Sequence, residues 1–199
     1  MKQLKASGTL QYSPSDLIRY VASPFASWMT RFNIDNPDQR VERDEDSEEM
    51  AILQNQGLDH EAKFLEQLIA EGKSVYTVEE ADHEVMVQDT IDAMKAGHDV
   101  VFQAYLRSGP FAGFADFLYK SEGASVWGDY HYEPWDTKLA RSVKPYFMVQ
   151  LCCYAEMLGD LQHRRPDAMG VILGDQSSVR HRVSDFFYAY QSIKGSFLE

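Results

Sequence analysis

The sequence predicts an α/β or α+β domain: a small mixed β-sheet flanked by helices, with an added helical N-terminal part. Three observations carry this. Helical apolar periods fill the first half, strand-like runs crowd between 99 and 139, and a helix from Lys144-Pro145 is followed by an apolar run at 168–173. The 199 residues, 44% apolar and 13% aromatic, suffice for one buried core and exclude a disordered chain.

The elements follow in order. Ser13-Pro14-Ser15-Asp16 opens a helix, with Ser13 as N-cap, Pro14 as first helical residue and Asp16 as the reciprocal capping acid. Leu17, Val21, Phe25, Trp28 and Phe32 recur at helical steps, and Ser23-Pro24 breaks or kinks the helix partway. Residues 34–48 are acidic and aperiodic, which predicts an exposed loop. A second helix runs from Ser47 to about Gly72, its stripe being Met50, Leu53, Gly57, Phe64 and Leu68 with His60 on the same face. A short strand at 74–78 precedes a third helix at 83–96, stopped by Gly97. Strands follow at 99–106, 111–119 and about 127–139, separated by Ser108-Gly109-Pro110 and Ser121-Glu122-Gly123. The next helix carries Phe147, Gln150, Leu151, Tyr154 and Leu158 on one side. A buried-type strand occupies 168–173, a further one is expected at 180–183, and a last helix starts near Ser184. The division this predicts is 1–82 as a helical part with the acidic loop 34–50, 83–183 as the core, and 184–199 as a terminal helix leading into a further domain.

Net charge is −12, unevenly spread. Residues 1–33 sum to +3, 34–50 to −6, 51–137 to −11 and 138–199 to +2, so the whole-chain value does not decide against a polyanionic partner. No apolar run is long enough for a bilayer, and the first residues lack a signal-peptide core, which excludes a membrane protein of that kind. Cys152 and Cys153 are too few for a cysteine-rich metal site and, being adjacent, poorly placed to pair. A reduced, cytoplasmic protein with both as buried small hydrophobes is expected.

Chemistry concentrates in the strands. Asp116 falls in the second, Asp136-Thr137-Lys138 in the third. Residues two apart share a strand face, so Asp136 and Lys138 project together and Thr137 points away. Two carboxylates from neighbouring strands suit a hard divalent cation, and a lysine beside them can balance phosphate charge and place water. Gly113 admits close approach of a ligand or another strand. The plainer alternative puts these charges on a solvated face.

The set Gly57-x-x-His60-Glu61, Gly113-Phe114-Ala115-Asp116, Asp136-Thr137-Lys138 and Gln150-x-x-x-Tyr154, in this order, resembles the motifs of the RecB-type nucleases of the P-D-(D/E)-x-K phosphodiesterase superfamily. The opening Ser13-Pro14-Ser15-Asp16-Leu17 with Tyr20 and Ser23-Pro24 is similar to the start of the same group, CRISPR-associated exonucleases included. The resemblance spans about 12–174. It implies a restriction-endonuclease-like core and a Mg²⁺- or Mn²⁺-dependent nuclease. His60, Asp116, Asp136 and the carbonyl of Thr137 would hold metal, Lys138 would be the catalytic lysine, and Gln150 and Tyr154 would support the site. Relatives with an iron–sulfur cluster carry cysteines where this chain has Ser23 and nothing after Cys153, so no cluster is expected. DNA, as single strands or duplex ends, is the expected partner, together with a helicase or other domain of a larger repair or defence protein.

Other residues have two readings each. Arg141, Lys144, Arg164, Arg165, Arg180 and Arg182 serve either phosphate contacts or ordinary solvation. The 130–135 run, with His131 and Trp135, reads as a core strand ahead of a base-stacking surface. Glu133 has the wrong strand parity for the metal site, and His83, His98, His131, His163 and His181 read as surface or packing residues. The apolar stripe Phe186, Phe187, Tyr190, Ile193 and Phe197 suggests a surface met by another domain. A non-catalytic nucleic-acid-binding or docking module, and a metal enzyme of small phosphorylated molecules, are the alternatives to the nuclease.

Overall fold

The computed structural model describes residues 1–4, 8–42 and 48–199. A ribbon of β1 (Lys2–Gln3) and β2 (Leu10–Gln11) leads into α1 (Pro14–Ala22) and α2 (Pro24–Asp35). Then come α3 (Glu48–Ala70), β3 (Val75–Thr77), α4 (His83–Ala96), β4 (Val100–Ser108), β5 (Phe111–Ser125) and β6 (Gly128–Thr137). The chain continues through α5 (Pro145–Gln162), β7 (Ala168–Ile172), β8 (Ser178–Arg182) and α6 (Ser184–Leu198). One sheet takes six strands in the order β3-β4-β5-β6-β7-β8. The pairs β3–β4 and β6–β7 are parallel and the other three antiparallel. Each parallel pair is joined by a helix, α4 or α5, as parallel crossovers require. The fold is therefore α+β on a mixed sheet flanked by helices.

Local chemistry explains the helix ends. Ser13 donates from its amide and its hydroxyl to Asp16 Oδ2, at 2.8 and 2.9 Å, with Pro14 opening α1. Ser23 Oγ accepts from the Ala26 amide, so Ser23-Pro24 starts a fresh helix rather than kinking one. Gly97 ends α4 at φ 76°, a left-handed position that glycine takes without steric cost. Phe64 and Leu68 of α3 pack on Val100, Phe117 and Ile172, while α5 and α6 cover the larger core, which also takes Leu17 of α1.

Several expectations are corrected. Ser121-Glu122-Gly123 is not a turn, because β5 runs through it with a bulge between Glu122 and Ser125, and the chain reverses around Val126-Trp127. Gly123 serves there at φ 127°, under the Arg164 guanidinium, which leaves no space for a Cβ. At Gly113 an added Cβ would meet Pro14 of α1 and Tyr154 of α5, so the close approach it admits is that of helices. Of the first apolar stripe only Leu17 is buried; Val21, Phe25 and Trp28 are exposed, as are Met50 and Leu53 of α3. The α6 stripe is spent within the chain, packing on the main core. β3 pairs with β4, so the sheet begins before residue 83. Residues 43–47 of the acidic loop, and with them the expected helix start at Ser47, lie outside the described residues. Cys152 and Cys153 are buried and free. Among the described residues no helix is long and apolar enough to cross a membrane.

Candidate active site

Strand register brings the two aspartates together. β5 pairs Phe117 with Trp135 of β6, the last pair of that ladder, and just beyond it the Asp116 and Asp136 carboxylates come into interaction. On its other side β5 sets Asp116 against Gln103, between the pairs Phe102–Phe117 and Ala104–Ala115. Lys138, just past the end of β6, returns its ammonium to 2.5 Å from Asp136 Oδ2, an oxygen with no other donor among the described residues. Asp136 and Lys138 thus project together.

Thr137 keeps the strand alternation: it pairs with Ile172, which packs under α3, whereas Asp136 pairs with Val171 of the larger core and meets Gln150 of α5. The Thr137 amide and hydroxyl donate to Asp116 Oδ2 at 2.8 and 3.0 Å, and the residue lines the cleft. The effect is to fix the Asp116 carboxylate with two donors on one oxygen.

Asp116, Thr137, Lys138 and Leu139 line an open cleft of about 440 Å³, closed from α3 by Gln54, Gly57, Leu58, His60 and Glu61. His60 is buried, and its orientation comes from a loop that the sequence did not mark. Gln176, in the β7–β8 turn at φ 67°, places its side-chain nitrogen 2.7 Å from His60 Nδ1, while His60 Nε2 lies 3.5 Å from the Ile172 carbonyl. The Gln176 Oε1 has no partner among the described residues. A proton on Nε2 satisfies both contacts: the Gln176 amide donates to the Nδ1 lone pair and Nε2–H faces the Ile172 carbonyl. Glu61 accepts from Gln103, which adopts φ 54° within β4.

Electrostatics follow from this crowding. Burial, and then the charge of Asp116, raise the Asp136 carboxyl above the ordinary range, against the pull of Lys138. Burial, and then Asp116, push Glu61 up to about 7, against the Gln103 hydrogen bond and Lys138. Burial opposes the Lys138 ammonium, but attraction to Asp136 and Asp116 outweighs it and holds the lysine charged. From α5, Gln150 Nε2 reaches Asp136 Oδ1 at 3.4 Å, and Tyr154 donates to the Phe114 carbonyl on the strand of Asp116. Burial and the two aspartates raise the Tyr154 phenol well above its usual value, so it remains a donor.

Among the described residues no three His, Cys, Asp or Glu side chains converge tightly enough to hold an ion as they stand. The Lys138 ammonium fills the place beside Asp136, and His60 is turned to Gln176. The donor chemistry nevertheless fits a hard cation. Two carboxylates meet across strands, one of them buried with its ionised form disfavoured, and positive charge at that point relieves both costs.

The basic residues divide sharply. Arg164 binds Asp167 and the Ala124 carbonyl, Arg165 lies over the Phe187 ring, Arg180 grips buried Glu133 through two nitrogens, and Arg182 binds Asp185. All four have partners on the chain, Arg180 and Arg182 from largely exposed positions. Arg141 and Lys144 are exposed on the segment after Lys138. His131 and Glu133 are buried away from the cleft, and Trp135 packs against Tyr119. Glu61 in the cleft, and Gln103 and Gln176 that hold Glu61 and His60 from behind it, are residues to which sequence reasoning gave no role. Glu61 was visible beside His60, whereas Gln103 and Gln176 depend on strand register and a turn. No protein-family model and no curated protein matches this chain.

Proposed function

We propose that this chain is a metal-dependent nuclease that hydrolyses phosphodiester bonds of DNA, working as an exonuclease on single strands or duplex ends. The observation that carries the reading is the convergence of the Asp116 and Asp136 carboxylates from neighbouring strands, close enough for Asp116 to disfavour the charge of Asp136, beside Lys138. The ordered motifs of the sequence support it. Asp116, Asp136, His60 and the Thr137 carbonyl would hold Mg²⁺ or Mn²⁺. When bound, such an ion neutralises phosphate charge and makes water a better nucleophile. Lys138 orients the attacking water and donates to a phosphate oxygen, Gln150 steadies Asp136, and Tyr154 ties α5 to the strand of Asp116. Arg141 and Lys144 meet the phosphate backbone beyond the cleft. The cytoplasm, and a helicase or other domain of a larger repair or defence protein, complete the proposal.

A second reading is a non-catalytic nucleic-acid-binding or docking module, and the observation favouring it is that Lys138 is held by Asp136 while His60 is held by Gln176. Cleavage of end-labelled single- and double-stranded DNA with Mg²⁺, Mn²⁺ or EDTA, beside Asp136→Ala, separates the two. The nuclease cuts only with metal and the variant not at all, a loss of at least about a hundredfold. Absence of cutting, with calorimetry showing no metal uptake, selects the module.

A further inference from the structure

A second pocket lies along the same strand. Phe114 precedes Asp116 by two residues, so by the pleat it shares the face of Asp116 at a distance of about 7 Å. Its ring is 42% exposed. Tyr105 of β4 lies opposite it in register, with ring centroids 4.8 Å apart, and His83 stacks on Tyr105 at 4.6 Å and 22°. These rings form one wall of a pocket of about 250 Å³, and the opposite wall comes from the β1–β2 ribbon.

The ribbon supplies polar groups with unspent capacity. Gln11 is only 8% exposed, lines the pocket, and its Oε1 finds no hydrogen-bond partner among the described residues. Lys2 reaches the pocket with its ammonium 3.2 Å from His83 Nδ1. Asp16, the one carboxylate there among the described residues, is neutralised by the Met1 amine at 2.5 Å and accepts from Ser13. The half-exposed Phe114 ring, set edge-on to Tyr105 at 61°, a buried amide oxygen that needs an N–H, and a cation at the mouth together match a heteroaromatic ring carrying N–H groups and attached to a phosphate. Aromatic stacking with amide contacts to the ring edge is how proteins hold unpaired bases.

We propose that this pocket takes one unpaired base of a single-stranded nucleic acid whose neighbouring phosphate lies at the Asp116–Asp136 cleft. The separation of the two sites along β5 is the reach of a single nucleotide turned out of its stack. The position of the phosphate rests on the nuclease reading, whereas the base site requires no cleavage.

The test is fluorescence anisotropy of a labelled single-stranded DNA octamer in EDTA, with an abasic octamer of equal length as control. The full chain, Phe114→Ala, Phe114→Tyr and Gln11→Ala are compared, each checked for native circular dichroism. Phe114→Ala is expected to weaken binding about tenfold, Phe114→Tyr to restore it and Gln11→Ala to weaken it severalfold, with the abasic octamer weak throughout. Equal binding of both octamers, equal affinity in the full chain and Phe114→Ala, or no binding at all, overturns the proposal. Cleavage in Mg²⁺, run in parallel, keeps the readings apart. Base-dependent binding without cutting retains the pocket and discards the nuclease, whereas cutting with base-independent binding does the reverse.

Discussion

At the scale of single residues the cleft works against its own ionisation. Glu61 faces Asp116 from α3, and burial followed by that neighbouring charge pushes its carboxyl up to about 7. A raised carboxyl has a definite sign in stability. Below the ordinary carboxylate range the folded and unfolded chains both hold the proton, and the fold has its full stability. As pH rises toward 7 the unfolded chain ionises freely while the folded chain resists, so stability is lost across that window and levels above it. Asp136, raised by burial and by Asp116, acts in the same direction. The urea midpoint in EDTA is therefore expected to fall between about pH 5 and pH 7.5. Glu61→Gln keeps the side-chain shape but removes the proton, and should flatten part of that fall. A slope identical to that of the unchanged chain would show that Glu61 ionises in the folded state as readily as in water.

At the scale of elements, the joint between β6 and β7 carries the site, because β6 holds Asp136 and β7 precedes the turn with Gln176. Their parallel register sets Trp135 beside Gly170, and a Cβ on Gly170 would come within 2.1 Å of the indole. Gly170→Ala should lower unfolding free energy by about 3 kcal/mol, as overpacking of an immobile ring does. Gly195→Ala in α6 is the matched control: nothing lies within 4 Å of its added Cβ, and removing a helical glycine should stabilise by up to about 1 kcal/mol. Chemical unfolding of both variants checks the pair, and a neutral Gly170→Ala would mean that β6 and β7 can slide apart. The contrast also shows what was legible in the sequence. Gly97, Ser13 and Pro145 announced helix ends because their chemistry is local, and the strand runs were visible as apolar periods. Gly123 misled, because a glycine at positive φ serves a bulge as well as a turn, and only the strand pairing across it decides which. In the site, the shared direction of Asp136 and Lys138 followed from a two-residue period. That Asp116 meets Asp136, that Gln103 sits between Glu61 and Asp116, and that Gln176 turns His60 are facts of register between segments far apart in sequence.

At the scale of the whole molecule the charge distribution limits how a polyanion can be held. The chain carries −12 overall and −11 between residues 51 and 137, the stretch that includes Glu61, Asp116 and Asp136. Arg164, Arg165, Arg180 and Arg182 of the more basic final third lie outside the lining of the cleft, each against its own partner. Lys138, Arg141 and Lys144 are the cations in and beside the cleft, a footprint of about three phosphates. Each phosphate neutralised on a single strand contributes about −0.7 to the slope of log affinity against log salt, so three give a slope of about −2. A shallow slope of this size, measured by anisotropy on a single-stranded octamer in EDTA, is the expected signature of a short grip in an acidic protein. Arg141→Ala combined with Lys144→Ala should bring the slope to about −0.7, leaving Lys138 alone, while a base held by stacking continues to resist salt. If the double variant keeps the full slope, the phosphates run over another surface. Arg180 would then be the first place to look, since its guanidinium is already 58% exposed while it covers the buried carboxylate of Glu133.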